Sequence, residues 1–238
     1  MKRIITLVVF SFVLTGIVNA QSIVSSDRTI DRSVPTWRIA VQGGFAYRIG
    51  KVDNSLGSEY ADYLKSLKEG YCYSADITHY FSEALGVGVK YSDGHFSGSI
   101  QGTATFTDGS VRSGTFSDNI DLRFVGPIIS YRWVSPNVRH AFYVNYGLGY
   151  LGMIDKSVLI IDNLTMKGGT MGQLADMSYD FSITKNLAIG ASVSYIAGTL
   201  TSYSIYNSAG ASQSVQLEKD EYESLSHVTI SLGIRLLL

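Results

Sequence analysis

The 238-residue chain carries a net charge of −1, with 19 Lys+Arg against 20 Asp+Glu, so it lacks the basic stripe that a nucleic-acid partner requires. Its single cysteine, Cys72, excludes an internal disulfide framework and a cysteine-based zinc cluster. Gly (24) and Tyr (16) are abundant and Pro (3) is scarce. Past the N-terminus no charge-poor apolar run reaches the ~20 residues of a membrane helix.

The first element is an address. Lys2 and Arg3 precede a mostly apolar run over 4–14, and Val18-Asn19-Ala20 supplies small residues before Gln21. This is the pattern of a secretory signal peptide over 1–20, to be excluded from the fold. A single membrane anchor is the rival, but the apolar run is short for one. No Cys follows the expected cut, which argues against a lipoprotein. Residues 21–36, rich in Ser, Asp and Arg, have little to pack and predict a flexible periplasmic N-terminus.

From Trp37 onward the period is two, the mark of strands with one oily and one polar face. In 37–49, Trp37, Ile39, Val41, Phe45, Tyr47 and Ile49 alternate with Arg38, Ala40, Gln42, Ala46 and Arg48. Seven more segments follow. They carry Tyr71, Tyr73, Ala75 and Ile77; Leu85, Val87, Val89 and Tyr91; Ile120, Leu122 and Phe124; Phe142, Val144, Tyr146, Leu148 and Tyr150; Ala175, Met177, Tyr179 and Phe181; Leu187, Ile189, Val193 and Tyr195; and Val228, Ile230, Leu232, Ile234 and Leu236. The fourth is irregular: Gly126-Pro127 implies a bulge or a lost ladder bond, after which Ile129, Tyr131 and Trp133 continue the oily face.

Short connections (82–84, 134–140, 184–186) alternate with long ones (50–70, 97–117, 153–170, 198–225). The pattern predicts an all-β fold over 37–238: an eight-stranded, antiparallel, up-and-down transmembrane barrel with short periplasmic turns and four long extracellular loops. A soluble calyx barrel would turn the same oily faces inward. Two features favour the membrane orientation. Many residues of the polar face are glycines, which suit a crowded lumen. Aromatic residues of the oily face gather at strand ends, with Trp37, Trp133, Phe142 and Phe181 toward the short turns and Tyr47, Tyr71, Tyr91, Tyr150 and Tyr195 toward the long loops, as in two interfacial girdles.

The stretches 70–81 (GYCYSADITHYF), 85–91 (LGVGVKY), 185–191 (KNLAIGA) and 228–238 (VTISLGIRLLL) together resemble small outer-membrane β-barrel proteins of the OmpA/OmpX type, in particular Bacteroidetes barrels. The resemblance covers about 37–238 and implies outer-membrane localisation, lipid contact, and passage through the barrel-assembly machinery during biogenesis. Members of the family usually end in an aromatic residue, whereas this chain ends in Leu238.

An eight-stranded barrel is only wide enough for side chains to fill. Arg38, Arg48, Asp76, Lys90, Asp121, Arg123, Asp176, Asp180 and Arg235 are therefore expected in the lumen as a paired charge network that plugs it. A narrow channel or a cavity for a hydrophobic solute is the alternative. In the first long loop, Ser58 as a cap and the spacing of Tyr60, Tyr63, Leu64 and Leu67 predict a short helix, with Gly70 at its C-terminal left-handed position. Asp108-Gly109 predicts a hairpin turn in the second loop, and Asp162-Asn163 one in the third. Extended outer ribbons offer edges to a surface partner.

His95 and Ser97 share one side of a strand, which resembles the His-x-Ser element of lipid A deacylases; Asp93 is the candidate to orient His95. His79, His140 and His227 fit no metal spacing. The expectation is a non-enzymatic barrel without cofactor or metal that presents loops for envelope integrity or surface recognition.

Overall fold

The computed structural model describes residues 34–50, 58–105, 111–159, 162–207 and 211–238. The signal peptide and most of the N-terminal segment read from the sequence lie outside them. Eight strands form the wall: β1 (Trp37–Arg48), β2 (Glu69–Tyr80), β3 (Leu85–Thr105), β4 (Val111–Val134), β5 (His140–Leu159), β6 (Asp162–Ser182), β7 (Leu187–Ala197) and β12 (His227–Leu237). Each pairs antiparallel with its neighbours, and β12 pairs with both β7 and β1, so the sheet closes. The seam of β1 and β12 runs from Arg38↔Leu237 to Arg48↔His227, and Trp37 and Leu238 exchange both backbone hydrogen bonds at 2.8 and 3.0 Å.

Beyond the ring lie helix α1 (Ser58–Ser66), two short strands β8 (Thr199–Leu200) and β11 (Glu223–Ser224) that pair with each other, and the hairpin β9 (Ser202–Asn207) with β10 (Ser212–Gln216). β9 also pairs with Leu164–Gly168 of β6. Four of the wall strands, β3 to β6, run 20 to 24 residues, twice the length a tilted membrane strand needs. Their far halves therefore stand above the ring as ribbons.

The oily stripe faces out. Val41 (55% exposed), Val89 (50%), Leu148 (52%), Ile189 (48%) and Ile230 (57%) would form the core of a soluble calyx, and instead each is open on the outer surface. The strand-end aromatics named from the sequence, Trp37, Tyr47, Tyr71, Tyr91, Trp133, Phe142, Tyr150, Phe181 and Tyr195, are all exposed on the same surface. At the short-turn end His79 lies against Trp37 with ring centroids 4.5 Å apart, and His140 bonds the Tyr179 hydroxyl at 2.6 Å.

The structure corrects the phase of β4. Val125↔Tyr150 and Ile128↔Gly147 keep one register across Gly126-Pro127, so ladder pairing with β5 lapses there without a bulge. Odd residues face out along the whole strand: Ile129 and Trp133 are exposed, but Ile120, Leu122 and Phe124 are buried inside. Asp121 and Arg123, expected in the lumen, therefore stand on the outer face. Gly70 does not end the helix. It is a β2 residue opposite Ala46 and Phe96, where a Cβ would come within 2.1 Å of the His95 carbonyl oxygen. Asp162 and Asn163 are strand residues, paired with Leu159 and Val158; residues 160–161 lie outside the described residues. The second-loop hairpin is framed by Thr105↔Val111; Asp108-Gly109 lies outside the described residues, as do the side chains of Ser58 and Tyr60.

Candidate functional site

Inward side chains fill the barrel in layers. Nearest the short turns, the Arg132 guanidinium lies 3.8 Å from the Tyr80 ring centre and donates to the carbonyls of Glu83 and Pro35 at 2.8 and 2.6 Å. Tyr80 bonds Ser130 at 2.8 Å and packs against Tyr143. These groups stop the lower mouth.

Above them lies the charge layer. Arg38 donates to Asp76 at 2.8 Å and to Asp180 at 2.8 Å, with its guanidinium 4.4 Å from the centre of the Tyr143 ring. Arg235, fully buried, donates to Asp180 at 2.9 Å and to Gln42 at 2.6 Å; Gln42 in turn donates to Ser74 at 2.9 Å. Lys90 meets Asp176 at 2.7 Å, and Asn145 and Ser194 also donate to that carboxylate at 2.6 Å each. Three buried cations thus face three buried carboxylates, which is the condition for such charges to persist inside a protein. Gly190 makes room for them, since a Cβ there would stand 2.3 Å from Asp180 Oδ1 and 2.8 Å from Arg235 Nε.

The layer above is apolar, which the sequence did not lead one to expect. Phe96, Leu122, Phe124, Leu151, Leu174, Ile196, Leu200 and Leu225 are fully buried there. Tyr63 and Leu67 of the α1 region join this cluster from above. At the outer rim Arg48 pairs with Glu223 at 3.0 Å and Tyr63 donates to Asp118. Asp155, on β5 on the rim side of the outward Tyr150, is buried among these groups. Burial, with the nearby Asp118 and Glu223, pushes its carboxyl up to about 7 against the pull of Arg48.

Of the residues assigned to the lumen from the sequence, Arg38, Asp76, Lys90, Asp176, Asp180 and Arg235 meet in the charge layer, and Arg48 sits apart at the rim. Asp121 and Arg123 belong to a second cluster, on the outside. Asp121 bonds His95 Nδ1, and Arg123 reaches Asp93 at 3.0 Å and Asp121 at 3.4 Å. Asp121, rather than Asp93, is therefore the carboxylate that orients His95; Ser97 shares that outer face and is exposed. Sequence reading missed Arg132 and Asn145. The alternation of Tyr131, Arg132 and Trp133 was a signal for the first.

No protein-family model matches the chain, and no curated protein matches its sequence. Its fold is similar to that of a major outer membrane protein from Thermus thermophilus (TM-score 0.50, 10% identity, 85% of this chain and 99% of that one). Neisserial surface protein A (TM-score 0.49, 12% identity, 87% and 99%) and OprG from Pseudomonas aeruginosa (TM-score 0.48, 12% identity, 87% and 98%) are further similar structures. The chain has the closed eight-stranded antiparallel fold of an outer-membrane β-barrel.

Proposed function

We propose that this protein is an integral outer-membrane barrel, closed to ion flow, whose long outer ribbons serve envelope integrity or recognition at the cell surface. The observation that carries this reading is the inside-out distribution of side chains. Hydrocarbon covers the outer wall, while the bore is occupied by a paired charge layer under an apolar one. Export and barrel-assembly machinery would deliver the chain to its membrane. The ribbons offer backbone edges to a partner: β10 has no second neighbour among the described strands, and strand addition is a common way to use such an edge. The test is planar-bilayer recording of the refolded barrel. Silence under applied voltage is the expected result. Steady ohmic steps would overturn the closed-bore reading in favour of a channel.

One observation favours a second reading, hydrolysis of an ester in the outer leaflet. His95 is oriented through Nδ1 by Asp121, which leaves Nε2 to take a proton from a hydroxyl, and Ser97 stands two residues along the same face. Release of fatty acid from vesicle lipids by the wild-type protein, lost in Ser97→Ala, would establish it. Lipids that stay intact under the same conditions would remove it.

A further inference from the structure

Charged side chains gather at one place on the outer wall. On β2, β3 and β4, alongside and just past the outward tyrosines, charged groups face away from the bore. Asp93 lies on this face yet is 2% exposed, because Tyr73, Tyr91 and Arg123 close over it. Both phenols donate to its Oδ2 at 2.9 Å, and Arg123 Nε donates to the same oxygen at 3.0 Å. Asp93 Oδ1 is buried without a partner among the described residues. Arg123 Nη2 reaches Asp121 at 3.4 Å, and Asp121 is held in turn by His95, whose ring lies 4.9 Å from that of Tyr71.

Two carboxylates therefore grip one edge of the Arg123 guanidinium. Its side chain is 47% exposed, whereas that of Asp121 is 19% exposed. The remaining amine, Nη1, donates to no group among the described residues. Strand register adds two more cations to this side. Lys156 lies opposite Asn119, Lys167 lies opposite Ile154, and both are exposed on the outward face. Asp93 is thus covered and Asp121 mostly so, while Arg123, Lys156 and Lys167 are open to the surroundings; the exposed carboxylate on this face among the described residues is Glu69, past Tyr71 on β2.

A charge at the hydrocarbon midplane is costly, whereas at the headgroup level the cost nearly vanishes. At that level a rigidly held arginine with a free amine is suited to a phosphate, which arginine binds through paired N–H groups.

We infer that Arg123, fixed by Asp93 and Asp121 and flanked by Lys156 and Lys167, forms a site on the lipid-facing wall for the phosphorylated headgroup of an outer-leaflet lipid. The site rests on the membrane reading given above. Tyr73 and Tyr91 are positioning residues: they hold Asp93, which aims the guanidinium.

The test is native mass spectrometry of the folded barrel in nonionic detergent, with bisphosphorylated lipid A and its fully dephosphorylated form as probes. The wild-type protein retains the phosphorylated lipid and releases the other. Arg123→Gln weakens retention about tenfold, the loss expected for one hydrogen bond between charged groups. Asp93→Asn weakens it in part, and Lys185→Gln, in a short turn at the other end, leaves it unchanged. Heat-modified gel migration confirms that each variant is folded, and the Lys156→Gln/Lys167→Gln pair gives an independent weakening should Arg123→Gln fail to fold. Equal retention of both lipids, or wild-type retention by the folded variants, overturns the site. Displacement of the lipid by millimolar inorganic phosphate would make it a free-anion site and overturn the lipid assignment. Failure of the wild-type barrel to insert into vesicles would instead sink the membrane reading beneath it.

Discussion

Asp180 accepts from two arginines at once, and this arrangement exists because position 190 has no side chain. Gly190→Ala forces a methyl group against Asp180 Oδ1 and Arg235 Nε. Overpacking of this kind costs about 1–3 kcal/mol, so the midpoint of urea unfolding in micelles falls. An unchanged midpoint would show that the network yields freely. Six of the charged residues in this layer were legible in the sequence because charge and two-residue alternation agreed there. The outward cluster was not legible. Asp93 and Arg123 meet only through the register of β3 on β4, and a single sequence carries no register between strands. His95 was singled out for its neighbour Ser97, while its actual carboxylate, Asp121, sits across a strand pair.

At the scale of elements, existence was easier to read than phase. All eight wall strands follow from alternation, and the helix of the first loop follows from the spacing of Tyr63, Leu64 and Leu67. The outer half of β4 was misread for a physical reason. The upper bore is apolar, so Ile120, Leu122 and Phe124 are as oily as a lipid-facing stripe, and near the headgroups Asp121 and Arg123 are tolerated outside. Hydrophobicity then no longer distinguishes the two faces. The rim beneath α1 carries its own prediction. Asp155 has a folded-state pKa raised to about 7 from 3.8, so its proton is bound more tightly in the folded rim than in an open one. Its contribution to stability is complete below about pH 4 and is lost as pH rises through 7. Amide exchange of the rim, corrected for its intrinsic pH dependence, should therefore speed up between about pH 4 and pH 7 and level off above that. Asp155→Asn should flatten that rise, and an identical rise in the variant would contradict the assignment.

For the whole molecule, orientation decides everything, and it was legible from glycine content and aromatic placement before any coordinates. Val193, near the middle of β7 and half exposed, should tolerate Leu but not Arg. An arginine at bilayer mid-depth costs about 2–4 kcal/mol of insertion, measurable as a shift in the denaturant midpoint of folding into phosphatidylcholine vesicles. Equal midpoints for Val193→Arg and wild type would mean that this wall does not face acyl chains.

The seam between β1 and β12 joins residues almost two hundred positions apart in the chain, and it is the contact that turns a ribbon into a tube. Such distant pairing is slow to find. Until it forms, two rows of unpaired amides and carbonyls remain open, which hydrocarbon cannot satisfy. Closure is therefore cooperative: without β12, which pairs with both β1 and β7, the wall keeps two open edges at once.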